Sequence, residues 1–231
     1  MQPKASSLCY SASIQTETDT YRQITIRNVK AMWCRAVAHY FEWVAGIPEL
    51  RLMDMREKVT LVVRQLCKIA SLMVSFWTYR QGHNGIVFGS GICYNPSEAQ
   101  DNALKTYASS YASVIHNNII SVFRKVAMTR EEYLLLKLIS FFDPPHFYLR
   151  QPERTVVDRA LKKYQTALVG HVKHSHPFLD HKAVTERISA LLGIMPYLEV
   201  RSTSKLLTSV DMVITSGKLA IHVKTTIMLF I

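Results

Sequence analysis

Cysteine is one residue type in this chain that could hold a metal ion or act as a nucleophile. The four cysteines are Cys9, Cys34, Cys67 and Cys93. No two of them form a Cys-x-x-Cys pair, so their spacing excludes a zinc-finger module. Cys34 and Cys67 also fall in apolar helical patterns, where a thiol usually packs as a small hydrophobic group. The cysteines therefore predict neither a metal centre nor a reactive thiolate, and they favour a reducing compartment.

Histidine is the second such residue type, and four histidines cluster near one predicted helix end. They are His171, His174, His176 and His181. Imidazoles at this spacing can bind a metal ion, but no cysteine lies near them. A histidine close to a helix C-terminus is also favourable without any ligand. We therefore predict no metal site here.

Motifs for phosphate binding and catalysis are missing from the sequence. Gly85, Gly89 and Gly91 favour a hairpin turn over a phosphate loop, because no glycine-rich strand-to-helix motif contains them. The sequence also contains neither a G-x-S-x-G elbow nor an H-E-x-x-H pair. We predict a protein that is not an enzyme and needs no cofactor. An unrelated helical enzyme or nucleic-acid binder is the alternative, and salt-sensitive DNA binding would favour it.

The charge of the chain favours acidic partners. Its 28 Lys and Arg exceed its 17 Asp and Glu, which gives a net charge of +11. The basic residues form no run of five or more and no basic helix, so we expect no direct DNA binding by this chain. Residues 59–79 are the most apolar long stretch, but Arg64 and Lys68 interrupt it. This predicts a buried core helix, not a membrane span.

Hydrophobic periodicity predicts an almost entirely helical protein. An apolar stripe from Val29 to Val44 indicates a helix that ends before Pro48, and residues 55–79 indicate a helix buried on most faces. Short apolar runs around a glycine turn at 85–94 predict one β-hairpin. Further helices are predicted at 97–125, at 129–142 behind a Thr129/Glu132 capping box, at 152–174, and at 181–212 with an interruption at Pro196. Residues 1–20 are predicted to be a flexible tail, and residues 21–231 one domain.

Four blocks of sequence, taken in order, resemble the ligand-binding domain of nuclear hormone receptors. The first joins FEWVAGIP at 41–48 to EKVTLV at 57–62, and the second is GIVFGSG at 85–91. The third runs from MTREEY at 128–133 to FFDP at 141–144, and the fourth from RISALL at 187–192 to MPYL at 195–198. Each block is loose, which is similar to the divergent, lineage-expanded receptors of roundworms.

The resemblance implies both a fold and a function. The fold is an all-α, three-layer helical sandwich of about 10–12 helices with one small β-hairpin. The function is ligand-modulated transcription regulation in the nucleus, in which a lipophilic molecule shifts the last helix between packed and unpacked positions. Family members usually also carry a DNA-binding domain with two zinc ions and eight cysteines, which this sequence lacks. The sequence thus resembles a ligand-binding domain alone, whether a single-domain protein, a fragment or a truncated gene product.

The family's lining positions imply a ligand site. Ten residues are expected to contact a lipophilic ligand: Met32, Trp33, Ala36, Leu66, Ala70, Val74, Val87, Phe88, Tyr111 and Ile115. The alternative is that these side chains simply fill a close-packed core. The coactivator groove is expected at Ala45, Val59, Val62 and Val63.

Three departures from the family pattern affect the expected partners. Ala45 stands where the family has a lysine that caps a coactivator helix, and the apolar run at 227–231 lacks the acid of the activation helix. Lys68 replaces a central-helix glutamate, so the family's usual salt bridge is not expected. We expect weak coregulator binding, a tail that covers the domain's own groove, and a homo- or heterodimer formed through 181–212. The alternative function is an orphan or dominant-negative interaction module with a filled pocket.

Overall fold

The computed structural model describes residues 22–89, 91–98, 102–143 and 149–198. Their α-helices are α1 (Ile26–Ala45), α2 (Met55–Gln81), α3 (Asn102–Ile115), α4 (Ser121–Val126), α5 (Arg130–Phe141), α6 (Gln151–Ser175) and α7 (His181–Leu192). A 3-10 helix, Pro48–Leu52, joins α1 to α2, and the strands are β1 (Arg22–Gln23), β2 (Ile86–Gly89) and β3 (Ile92–Tyr94). The predicted tail at 1–20 and the segment from 199 to 231 lie outside the described residues.

Helix α2 is the centre of the fold, as the sequence predicts. The Asp54 side chain accepts a hydrogen bond from the Arg56 N–H at 2.9 Å and so caps its first turn. The helix ends at Gly82, whose φ of 62° lies in the left-handed region that glycine adopts most easily. α2 packs against α1, α5 and β2. Its length and composition would also suit a membrane span, but 67% of its most apolar stretch is buried inside the protein.

The sheet contains the predicted hairpin and one additional strand. β2 and β3 pair antiparallel, and β1 adds to β3 in parallel, with Arg22 opposite Ile92. The side chain of Gln23 strengthens this edge, since it donates to the Asn95 carbonyl and accepts from the Asn95 N–H at 3.2 and 2.8 Å. Sequence analysis missed β1 because two residues are too few to show an alternating pattern.

Helices α3 and α4 form one continuous rod. A π-helical turn, His116–Ile120, joins them without a break in helical backbone angles. The rod ends at Ala127, which has a φ of 46°. This agrees with the single helix predicted to reach about residue 125, but its predicted start is wrong, because Ser97 and Glu98 form a turn around Asn95 and the described helix begins at Asn102.

Helix α5 begins at the predicted capping box. The Thr129 side chain accepts from the Glu132 N–H at 3.2 Å, and the Glu132 carboxylate accepts from the Thr129 N–H at 2.9 Å. α6 packs along α5, and α7 packs on α6. α7 ends at Leu192, Gly193 and Ile194 form a turn, and residues 195–198 are helical again. The predicted interruption is therefore present, but it lies just before Pro196, which falls in the first turn of the new helical segment, where proline is tolerated.

Two apolar clusters form the core. The first core cluster joins the C-terminal half of α2 to the hairpin, α3, α4 and α7, and contains Met32, Val74, Tyr111, Ile115 and Tyr133. The second core cluster joins the C-terminal half of α1 to the 3-10 helix, the start of α2, and the facing ends of α5 and α6. It contains Tyr40, Phe41, Val62, Phe141 and Phe142. The first cluster carries the candidate ligand site, and the second supports the candidate groove.

Candidate functional site

Five of the ten predicted ligand-lining residues lie in or against the first core cluster. Met32, Val74, Tyr111 and Ile115 belong to it, and Phe88 packs against it from the hairpin. Ala70 and Val87 are also buried, while Ala36 is half-buried. The side chain of Trp33 lies outside the described residues. α1, α2, β2 and α3 therefore bring together side chains that are far apart in sequence.

Leu66 is the member of the predicted set that lies elsewhere. It is half-buried and packs against the second core cluster, not the first. The reason is helical geometry: Leu66 precedes Ala70 and Val74 on α2, near the half of the helix that faces Phe41 and the 3-10 helix.

A pair of hydroxyl groups gives the candidate ligand site its polar contact. The Tyr111 hydroxyl donates to Ser71 Oγ at 3.3 Å, and both residues are buried. Ser75 and Thr78 are buried on the same helix, but their hydroxyls donate to the carbonyls of Ser71 and Val74 within one helical turn. Sequence analysis missed Ser71 because such local bonding usually satisfies a serine in an apolar helix. The arrangement suits an apolar molecule with few hydrogen-bonding groups.

The hairpin wall of the site is fixed by several hydrogen bonds. The Val87 N–H donates to Thr78 Oγ1 at 2.9 Å, which ties β2 to α2. Below it, the Gly85 N–H donates to His83 Nδ1 at 2.9 Å, and the Gly85 carbonyl bonds to His116 Nε2 at 2.7 Å. A Cβ at position 85 would lie 1.7 Å from the Tyr94 carbonyl, so glycine is required there. Burial, with the nearby His116, lowers the pKa of His83 and keeps its ring nitrogen able to accept.

The predicted coactivator groove is partly exposed. Ala45 and Val63 are exposed, and Val59 is half-buried, so these three can contact a partner. Val62 differs from the prediction, because its side chain is fully buried in the second core cluster and supports the groove from below. The Tyr40 hydroxyl also donates to the Val62 carbonyl at 2.6 Å.

Two further apolar residues extend this surface. Leu52 is 69% exposed and Met55 is 53% exposed, and they lie on either side of the turn into α2. Met55, Val59 and Val63 follow each other at four-residue spacing and form a stripe along one face of α2. Leu52 and Met55 are not among the predicted groove residues, because the resemblance implies only the positions where the family's own groove lies. Exposed leucine and methionine so close together mark a candidate binding surface.

The charges around the groove also follow the predicted departures. Residue 45 is alanine, so the groove has no cation at the position where the family's capping lysine lies. Lys68 is buried, and its Nζ donates to the Asp143 carbonyl at 2.9 Å with the Asp143 carboxylate 3.6 Å away. The central-helix charge therefore has the opposite sign to the family's glutamate, and it pairs with an acid at the end of α5.

A family model for the ligand-binding domain of nuclear hormone receptors matches residues 14–206. The chain belongs to this family. The predicted recognition and the predicted all-α sandwich with a small hairpin are therefore confirmed. This family consists of non-enzymatic regulators of transcription.

Several receptors are similar to this ligand-binding domain. Nuclear hormone receptor family member nhr-100 of Caenorhabditis elegans is 24% identical over 200 residues, which cover 84% of this chain and 45% of that protein. Family member nhr-4 of the same organism is 23% identical over 150 residues, covering 65% and 30%. Nuclear receptor subfamily 1 group I member 2 of Mus musculus is 28% identical over 88 residues, covering 38% and 20%. The chain spans less than half the length of these curated relatives.

Proposed function

We propose that this ligand-binding domain regulates transcription in the nucleus in response to a small lipophilic molecule bound at the first core cluster. The Tyr111–Ser71 hydroxyl pair carries the proposal, because it places one polar contact among otherwise apolar walls. Apolar pockets with a few fixed polar groups are typical of small-molecule sites. No catalytic role is proposed.

Native mass spectrometry of the purified chain tests this proposal. We expect a retained small molecule that organic extraction removes. Ala70→Phe should abolish retention of the molecule because the added ring occupies the site. Ala160→Phe makes the same enlargement at a buried alanine of the second core cluster and should leave retention unchanged. Circular dichroism would establish that both variants keep their helices. Retention by Ala70→Phe would contradict the proposed location.

The alternative is an interaction module whose pocket is filled by its own side chains. The stacking of Phe76 on Tyr133, with ring centroids 3.8 Å apart and planes 4° from parallel, favours this alternative because it closes part of the first cluster. A chain purified without any bound molecule, and not stabilised by apolar additives, would favour the filled module over a receptor.

Coregulator binding at the groove forms the second part of the proposal. The stripe of Met55, Val59 and Val63 could hold the apolar face of an LxxLL helix, but no cation at position 45 would cap its end. We expect weak binding, and submicromolar affinity would contradict it. Ala45→Lys should raise affinity tenfold or more, since hydrogen bonds to charged groups contribute about 1.5–3 kcal/mol and about 1.4 kcal/mol is a factor of ten. Ala38→Lys, on an exposed position of the same helix, is the matched control.

Dimerisation near α7 is the third part of the proposal. The outer face of the described helix is polar, with Lys182, Thr185, Glu186 and Ser189 all exposed. Such a face supports a weak, reversible dimer better than an obligate one, since obligate interfaces are more apolar. Sedimentation equilibrium should therefore show a mass that rises with protein concentration. A constant monomer mass would remove this part of the proposal.

A further inference from the structure

A cleft separate from the candidate ligand site lies between the 3-10 helix and α6. Its volume is about 220 Å³, and it is lined by Glu49, Leu52, Val156, Arg159, Ala160 and Lys163. The four residues from α6 follow helical spacing and so share one face of that helix. Pockets that enclose a drug-sized molecule measure about 300–1,000 Å³, so this cleft is sized for one or two side chains of a protein partner.

One wall of the cleft is rigid because its charges are already paired. Glu49 Oε1 lies 2.7 Å from Lys163 Nζ, and the Tyr164 hydroxyl donates to both carboxylate oxygens at 3.0 and 2.9 Å. The Tyr164 ring stacks on the buried Phe142 at 5.8 Å. Burial alone would raise the pKa of Glu49, but the hydrogen bonds from Lys163, the backbone and Tyr164 outweigh it and lower the pKa. Lys163 is thus neutralised in place.

Arg159 differs from Lys163, although the two lie one helical turn apart. Its side chain is exposed at the rim of the cleft and has no hydrogen bond or ion pair within the part of the chain that the structure describes. A guanidinium in this position can bind a carboxylate through two parallel hydrogen bonds. Below it, Leu52, Val156 and Ala160 offer an apolar floor, of which Leu52 is 69% exposed.

We propose that this cleft is a second docking surface, for a partner segment that carries an aliphatic side chain next to a carboxylate. The aliphatic group would fill the floor at Leu52, Val156 and Ala160, and the carboxylate would bind Arg159. Charge complementarity selects an acidic segment, because no described residue pairs with Arg159 and the chain carries a net charge of +11. Arginine is among the residue types that most often dominate binding energy at interfaces, which makes Arg159 the main anchor of this surface. This surface shares Leu52 with the extended groove, and it differs from the groove in its α6 residues Val156, Arg159 and Ala160.

Backbone NMR titration of the full chain tests the proposal, with N-acetyl-Glu-Leu-Leu-Glu-amide as the probe. We expect shift changes at Leu52, Val156 and Ala160, and an affinity about three- to tenfold weaker in Arg159→Gln, in keeping with one exposed charge-assisted contact. Lys162→Gln removes the same charge from an exposed neighbouring position and should leave the affinity unchanged. A probe with glutamine in place of glutamate should bind Arg159→Gln and the parent equally.

Leu52→Ser separates the apolar contact from the charge. It should weaken binding of the acidic probe, whereas Leu134→Ser, at an exposed leucine on α5, should not. Shift changes confined to Met55 and Val63 would overturn the proposal in favour of the groove. Equal affinity in Arg159→Gln and the parent, or equal losses in Arg159→Gln and Lys162→Gln, would also overturn it, since the latter indicates general attraction to a basic surface.

Discussion

Glu132 and Lys137 both lie buried on α5, with 0% and 6% of their surfaces exposed, but the fold satisfies them differently. Glu132 accepts hydrogen bonds from Arg187 at 2.6 and 2.8 Å and from the Thr129 N–H at 2.9 Å. The Lys137 ammonium lies 3.9 Å from the centre of the Trp43 ring, and within the described residues it has no hydrogen bond or ion pair. The Glu132 carboxylate is fully paired, whereas among the described residues the Lys137 ammonium contacts an aromatic ring and no anion.

The pKa values of the two groups show the consequence. Burial alone would raise the pKa of Glu132, but the hydrogen bonds from Arg187 and Thr129 outweigh it and lower the pKa below its ordinary 4.5. Burial lowers the pKa of Lys137 from 10.5 to about 7, with no anion to oppose it. The buried charge of Glu132, at the N-terminal end of α5, therefore stabilises the fold. The buried charge of Lys137, about one and a half turns later, destabilises it.

Replacing Arg187 should give the largest effect. Arg187→Met leaves the Glu132 carboxylate buried without its partner, which typically costs about 3–5 kcal/mol. The Arg187 contact with the Val126 carbonyl, at 2.6 Å, is lost as well. Urea unfolding at pH 7 would measure the loss. Lys182→Met, on the same helix, breaks only an exposed ion pair of 4.0 Å and should change stability by less than about 0.5 kcal/mol.

The pH dependence of this loss has a definite sign. The folded pKa of Glu132 is lowered, so the ion pair stabilises the fold fully above about pH 4.5 and progressively less as the pH falls through the lowered value. The difference between the parent and Arg187→Met should therefore shrink in acid. A difference that stays constant down to pH 2 would contradict the role assigned to Glu132.

Replacing Lys137 should give the next largest effect, in the opposite direction. Lys137→Met keeps the volume and removes the cost of burying a cation, so we expect a gain of about 2–3 kcal/mol at pH 6 after the loss of the Trp43 contact is subtracted. Between about pH 7 and 10.5 the unfolded chain binds a proton that the folded chain does not, so the parent gains stability as the pH rises. The advantage of the variant should fade across that window.

Urea unfolding at pH 6 and pH 10 would check this prediction. Lys182→Met again serves as the control, because its ammonium is exposed and its replacement should show no such pH trend. A Lys137→Met variant less stable than the parent at pH 6 would show that the Trp43 ring compensates the buried cation fully. The contrast between the two charges of α5 would then disappear.

The same helix shows what a sequence can and cannot predict. The Thr129/Glu132 capping box is a local signal over four residues, and the structure contains it. The partner of Glu132 is Arg187, 55 residues away, and no local pattern could join them. Lys137 interrupts an apolar run in the sequence, yet nothing in the run shows that Trp43, on α1, covers the ammonium.

In the candidate site, too, local features were predictable and contacts between distant elements were not. Helical spacing and the family blocks placed Ala70, Val74 and Tyr111 in the buried interior, because burial follows periodicity. The contact between Tyr111 and Ser71 joins two helices, so no local pattern predicts it. The separation of Leu66 from the other residues of the set likewise depends on which helices pack against each half of α2. The cleft at Arg159 was not predicted either, because it depends on how the 3-10 helix packs against α6.

Replacing Thr129 should give the smallest effect on stability. Thr129→Ala removes the hydroxyl that caps the Glu132 N–H, which typically costs about 1 kcal/mol, while the backbone bond from residue 129 to the carboxylate can remain. Thr129 and Arg187 both position Glu132, so in a double-mutant cycle their costs should not add. The same cycle between Thr129→Ala and Lys137→Met should be additive, because Lys137 has no part in that network. Coupling in the second cycle as strong as in the first would mean that the two buried charges of α5 are not independent.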